Sequence, residues 1–435
     1  MLLQAYVTQL QAVPPLRGFG TVVQANAVSV EAEGIRCALG DACEILALSG
    51  RRHAAEVIGF RGNRVIAMPL ETVQGIRFGD RLFRDGSGAG LPVSNAMLGR
   101  VLRADGTPID GGPPLPVTTR VPLDRLGPGP MEREPIRSPL GTGVRAIDAM
   151  LTIGRGQRVG LFGGSGVGKS TLIGMMTRNT AADVTVVGMV GERGREVREF
   201  LQDSLGEAGL RRSVVIVSTS DESPLMRMRA ALAAVATAEY FAAQSNSVLL
   251  VLDSLTRYAM AAREVGLAAG EPPASKGYPP SVFARLAKLL ERAGRFERGS
   301  ITGLYTVLME GDDEQDPVVD AARSILDGHV VLSRDLAGAG HYPPIDVLRS
   351  LSRLMPAVTS APHRDRARHA RRLLAAYQRG EDLLRVGAYR AGSDPDLDAA
   401  VRLRPQLQRV LQQGIEEAVS MDDAVSSLAF LESAS

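Results

Sequence analysis

The chain of 435 residues contains no tryptophan, and aromatic residues make up only 4% of it. A sequence-tolerant surface for single-stranded nucleic acid needs aromatic platforms along a basic groove. With 50 basic against 48 acidic residues and a net charge of +2, neither feature is provided, and no nucleic-acid partner is expected. Cysteine is nearly missing as well. Cys37 and Cys43 are too few for a disulfide framework or a four-ligand metal site, and they read as spare buried thiols in a reducing cytoplasm. No stretch reaches the ~20 apolar residues of a membrane span. The opening MLLQAYVTQLQAVPPLRG lacks the basic start and small-residue cleavage site of a secretory signal. A cytoplasmic protein, at most peripheral to a membrane, is the expectation.

What is present points to a multidomain globular chain. Hydrophobic residues at 45% and charged residues at 23% are ordinary for a packed protein, and the length suggests two or three domains. Residues 1–88 carry short β-branched runs cut by glycine and polar turns, such as GTVVQANAVSVEAEG, which predict a small antiparallel barrel or sandwich. Ahead of them Leu3, Tyr6, Val7, Leu10 and Val13 fall at helical spacing. Between residues 86 and 133 Gly and Pro cluster as turn signals. From residue 136 to about 355 continuous apolar runs (VTVVGMV, SVVIVST, SVLLVLD, ITGLYTVLM, HVVLS) alternate with helical segments. That alternation predicts an α/β domain with a parallel sheet covered on both faces. Beyond residue 357 the pattern is helical, and the basic run HRDRARHARR reads as a solvated helix face.

Inside the α/β region Gly163, Gly164, Ser165, Gly166, Val167, Gly168, Lys169 and Ser170 fit G-x-x-x-x-G-K-[ST], with Thr171 next and a strand and a helix on either side. Glycines let successive backbone N–H groups turn toward a phosphate. The helix N-terminus adds its positive end, the lysine reaches the terminal phosphates, and the adjacent hydroxyl suits Mg²⁺. Two carboxylates follow at the ends of apolar strands. Asp253 closes SVLLVLD, where it can order Mg²⁺ or cap the next helix. Glu192 follows VTVVGMVG, where it can polarise an attacking water or stand as a surface charge in a turn. Adjacent strand ends of a parallel sheet open on one edge, which is where ligands bind.

Taken together, GGSGVGKST, VGERGREVREF, LDSLTRYAMAAREVGLAAGEPP, GYPPSVFARLAKLLERAG and HYPPIDVLRSLSR resemble the type III protein-export ATPases of flagella and injectisomes, relatives of the rotary ATP synthase subunits. The resemblance runs from about residue 20 to about residue 398. It implies a RecA-like P-loop core with a mainly parallel sheet at residues 89–356. A small N-terminal β-barrel precedes the core at 1–88, and a helical C-terminal domain follows at 357–435. It implies ATP and Mg²⁺ as ligands, with Lys169 and Ser170 on phosphate and metal, Asp253 ordering the metal and Glu192 as catalytic carboxylate. Arg193 would support the γ-phosphate region, and Arg353 matches the arginine finger that a neighbouring subunit inserts. Tyr342 matches an aromatic that packs on adenine, and Tyr389 would complete that pocket. The resemblance further implies a homohexamer that works with a stator-like regulator, a central stalk protein, export chaperones and cargo at a membrane export gate. A flagellar role is favoured over an injectisome one. A rotary synthase subunit, an RNA-tracking helicase and a nucleotide-binding scaffold without turnover fit less well. Residues 264–280 are expected to form a loop near the ring axis.

Overall fold

A computed structural model describes residues 18–71, 74–85, 90–116, 119–309 and 316–432. The helical spacing expected for residues 3–13 lies outside these. The chain divides into two units. The first is built on the N-terminal strands together with residues 222–226 and 264–272, and the second holds the remainder.

The first unit is a closed barrel of strands β1 (Phe19–Ala25), β2 (Val30–Glu33), β3 (Ala42–Leu46), β4 (Arg52–Arg61), β5 (Arg64–Pro69) and β6 (Arg81–Arg84), in the order β1-β2-β5-β4-β3-β6. Period-2 alternation makes it: Arg52 and Ala54 face out while His53, Ala55 and Val57 are buried. The interior is filled by Val22, Val30, Ile45, Val65 and Leu82, among others. Closure leaves no exposed sheet edge. Of the two thiols expected to be buried, Cys43 is buried and Cys37 is only half-buried.

The second unit is organised by β7 (Val101–Arg103), β8 (Arg158–Gly163), β9 (Val184–Glu192), β10 (Ser213–Thr219), β11 (Ser247–Asp253), β12 (Ser300–Leu308), β13 (Gly328–Leu332) and β14 (Ile345–Ser352). They lie in the order β14-β13-β8-β12-β11-β9-β10-β7. All pairs are parallel except the edge pair β13/β14. β9 and β12 are buried almost end to end, which explains why their sequences run continuously apolar rather than alternating. Helices α1 (Lys169–Asn179), α2 (Pro224–Ala242), α3 (Leu255–Ala269), α4 (Pro280–Leu290), α5 (Pro317–Ile325) and α6 (Arg334–Gly338) connect them. The helical tail is α7 (Ala361–Arg385), α8 (Pro395–Leu411) and α9 (Met421–Ser426). Its Ala370, Leu373, Leu403 and Leu407 belong to the same core as Leu161 and Ile173 of the sheet region.

Three expectations are corrected. β7, from the Gly- and Pro-rich stretch, is not a turn but pairs with β10 as a sheet strand. Residues 264–269 are the last turns of α3, so the loop is confined to residues 270–279. Within the basic run, Arg368 and Arg372 are exposed as expected of a solvated face. Arg371 instead turns inward and donates to the Ser350 carbonyl at 2.9 Å.

Candidate active site

The C-terminal edge of the parallel strands opens on a cleft of about 1030 Å³ lined by the phosphate loop, Glu192 and Asp253. The loop leaves β8 and enters α1. Gly166 (φ 79°) and Gly168 (φ 93°) adopt the left-handed conformation that other residues resist. Val167 turns its side chain into the core, at 3% exposure, which leaves the backbone of the loop facing the cleft. Gly163 packs against Leu332, and the remaining loop residues, from Gly164 through Gly168 to Thr171, line the opening. Leu172, Ile173, Met175 and Met176 bury one face of α1. The helix N-terminus and its free N–H groups are thereby fixed toward the cleft, as an anion site requires.

The two carboxylates sit on neighbouring strands, Met189 of β9 pairing with Asp253 of β11. The phosphate-loop strand β8 is not adjacent to Glu192, however, because β12 and β11 lie between them. β12 supplies the residue that sequence reading missed. The buried Thr306 donates its hydroxyl to Asp253 Oδ1 at 2.6 Å. Lys169 Nζ lies 3.3 Å from the same oxygen. Helix capping at α3 is done by Ser254, whose Oγ accepts from the Arg257 N–H, so Asp253 is left to the cleft. Serine and aspartate oxygens beside a phosphate loop suit Mg²⁺, which takes few protein ligands and keeps phosphate and water oxygens. Among the described residues no cluster of three or more His, Cys, Asp or Glu forms a separate metal cage.

Glu192 is 7% exposed. The pairing of β9 with β10 slips between Val190 and Glu192, with Gly191 at φ 70°. Such an irregularity at a strand end re-aims the next side chain. Glu192 Oε1 accepts from Arg257 Nε at 2.9 Å. Its carboxyl is held well above the usual carboxylate range, first by burial and then by the Asp253 charge and the Glu196 carboxyl, against the opposing charges of Arg257 and Lys169. An acid so placed can hold and release a proton near neutrality, as a group activating water must.

The other sequence-predicted residues are placed as follows. Arg193 lines the cleft and reaches Glu196 at 3.4 Å. The Tyr342 ring stands beside Gly168, half exposed. Tyr389 does not line the cleft; its hydroxyl donates to Asp398 at 2.8 Å at the start of α8. Arg353 follows β14 and is exposed; among the described residues its guanidinium makes no hydrogen bond or ion pair, and it is not part of its own chain's cleft. Arg257 carried a faint signal in the sequence: four residues beyond Asp253, it lies one helical turn from the end of β11.

Comparison with known proteins bears on the same architecture. Residues 17–83 match the ATP synthase alpha/beta family beta-barrel domain, and residues 143–352 match its nucleotide-binding domain. Residues 359–429 match the T3SS EscN ATPase C-terminal domain. The flagellum-specific ATP synthase of Salmonella typhimurium is 51% identical over 98% of this chain and 96% of its own. That of Bacillus subtilis is 44% identical over 99% of both. Among solved structures, the assembled ATPase EscN of the enteropathogenic E. coli type III secretion system superposes with a TM-score of 0.90 at 42% identity. That match covers 95% of this chain and 99% of EscN. EscN in complex with its central stalk EscO superposes at 0.87. From barrel to helical tail, the chain belongs to the type III protein-export ATPases, within the ATP synthase alpha/beta family.

Proposed function

We propose that the chain hydrolyses ATP at the seams of a homohexameric ring and that this turnover energises protein export by the flagellar type III apparatus. The observation that carries the reading is the meeting of Lys169, Asp253 and Glu192 around one phosphate loop. Arg353 stands apart on the surface of the same protomer. An arginine that is exposed and unpaired among the described residues, outside its own chain's cleft, can complete the site of a neighbouring copy.

In this reading the backbone from Gly164 to Gly168 and the N-terminus of α1 bind the phosphate chain, and Lys169 meets the terminal phosphates. Glu192, steadied by Arg257, orients the attacking water and takes its proton. Mg²⁺, when bound, neutralises charge on the phosphoryl group being transferred, and Ser170 and Asp253 are the residues that would hold it. Arg193 supports the γ-phosphate end, and Tyr342 offers its ring to the adenine; Tyr389, bonded to Asp398 away from the cleft, has no part in the pocket. Arg353 of an adjoining copy completes the charge stabilisation. The chain is read as three domains, 1–88, 89–356 and 357–435, with the catalytic residues in the second.

Flagellar service is favoured because flagellum-specific relatives reach 51% identity over 98% of this chain, against 42% for assembled EscN and 46% over 79% of this chain for a further type III secretion ATPase structure. A central stalk protein fits by likeness to the EscN–EscO complex. A stator-like regulator, chaperones, cargo and a membrane export gate complete the set of partners. Contact with the membrane is taken as peripheral; no helix among the described residues is long and apolar enough to cross one. The test is a phosphate-release assay on the purified chain, with Lys169→Ala and Glu192→Gln beside it. Turnover that rises with protein concentration and vanishes in both variants supports the reading, whereas turnover surviving Glu192→Gln contradicts it. Co-purification with flagellar rather than needle and secretin components tests the appendage.

A further inference from the structure

Among the described residues, every lysine and arginine lining the cleft has a charged or aromatic partner, with one exception. Lys169, Arg193, Arg195, Arg257 and Lys276 each have a carboxylate within salt-bridge distance. Arg263 lies over the Tyr278 ring at 4.9 Å. Arg334, the first residue of α6, also lines the cleft, yet among the described residues its guanidinium has no hydrogen bond, ion pair or ring partner. Arg334 is exposed, and what sets it apart is the phosphate-loop residue beside it. Gly164 of the phosphate loop has no left-handed backbone to explain its identity. A Cβ there would instead fall 2.4 Å from Arg334 Nη2, 2.7 Å from Nε and 2.9 Å from Cζ. The guanidinium occupies the space a side chain would need. The unpaired guanidinium thus lies directly against the loop that receives phosphate, and an alanine at 164 would push it away.

We propose that Arg334 is a second phosphate-binding cation of this site, reaching the phosphate chain of a bound nucleoside polyphosphate from its own protomer across Gly164. The proposal rests on the phosphate-loop reading of residues 163–170. Lys169 lies beside the Asp253 carboxylate and shares its charge with it, so an additional unmatched cation adds directly to polyphosphate affinity. A planar guanidinium with several donors suits a phosphate better than a point charge does.

The experiment is calorimetric titration of the full-length protein with a non-hydrolysable ATP analogue and Mg²⁺, comparing wild type with Lys169→Ala, Arg334→Ala, Arg334→Lys and Gly164→Ala. Loss of a charge-assisted contact predicts a dissociation constant raised roughly ten- to a hundredfold in Arg334→Ala, with partial recovery in Arg334→Lys. Gly164→Ala displaces the guanidinium and weakens binding in the wild-type background. It adds little in Arg334→Ala, where the space is already vacated, a non-additivity that marks direct coupling. If Lys169→Ala loses binding while Arg334→Ala is indistinguishable from wild type, the proposal is overturned and the phosphate-loop reading stands. If Lys169→Ala binds normally, the phosphate-loop reading itself is overturned. If Arg334→Ala alters only assembly, seen by sedimentation, the guanidinium belongs to a contact between copies, which also overturns the proposal.

Discussion

Replacing Thr306 by Val should loosen the grip of the site on Mg²⁺ while leaving the fold in place. Thr306 is wholly buried and its hydroxyl has two acceptors in reach, Asp253 Oδ1 at 2.6 Å and the Leu252 carbonyl at 3.3 Å. The shorter contact to the charged group is the stronger. Valine keeps the shape but removes the donor, so packing is conserved and one buried carboxylate oxygen loses a partner. Hydrogen bonds to charged groups contribute about 1.5–3 kcal/mol. Without Thr306, Lys169 is the remaining partner within 3.3 Å of that oxygen, and the carboxylate is free to rotate toward it. Partners of this kind, which orient a metal-ordering ligand, typically change metal affinity by about ten- to a hundredfold. Mg²⁺ titration of hydrolysis at saturating ATP should therefore show a half-maximal concentration raised by about that factor. Thr306→Ser, which restores the donor, should lie near wild type. A Thr306→Val enzyme with an unshifted Mg²⁺ curve would refute the idea that this hydroxyl sets the pose of Asp253.

Other consequences can be checked independently. Arg353→Ala should bind the ATP analogue normally but lose hydrolysis by about 10³–10⁵, the range for an arginine finger. Because Arg353 is exposed and unpaired among the described residues, its thermal unfolding should not move. Arg257→Ala removes the group that steadies Glu192; it should lower kcat by roughly ten- to a hundredfold with little change in KM, which steady-state kinetics would show. Asp148 is wholly buried and accepts from Thr142 N–H at 2.9 Å, Thr142 Oγ1 at 2.7 Å and Gly143 N–H at 3.1 Å. Asp148→Asn turns an amide NH₂ toward one of these donors and should cost about 1–3 kcal/mol in denaturant unfolding.

Local motifs were legible in the sequence and relations across the sheet were not. The phosphate loop could be read because eight consecutive residues, bounded by a strand and a helix, carry the whole device. Glu192 and Asp253 could be read because each closes a continuous apolar strand. Thr306 could not, since it is an unremarked threonine inside ITGLYTVLM until β12 is seen to lie against β11. The order of strands in space differs from the order in sequence, and that crossover places β11 and β12 between the phosphate loop and Glu192. Arg334 was hidden for the same reason: in sequence it begins a five-residue helix, and only β13, lying next to β8, brings it onto Gly164. β7 was missed because three residues in a Gly- and Pro-rich stretch have no periodicity to show.

Co-assembly of two inactive variants tests the shared site most directly. Glu192→Gln protomers keep Arg353, and Arg353→Ala protomers keep Glu192. Co-expressed in equal amounts and purified as mixed rings, they should recover about a quarter of wild-type turnover if assembly is random and each seam acts alone. Mixed rings no more active than the two variants measured separately would show that Glu192 and Arg353 do not act across a seam.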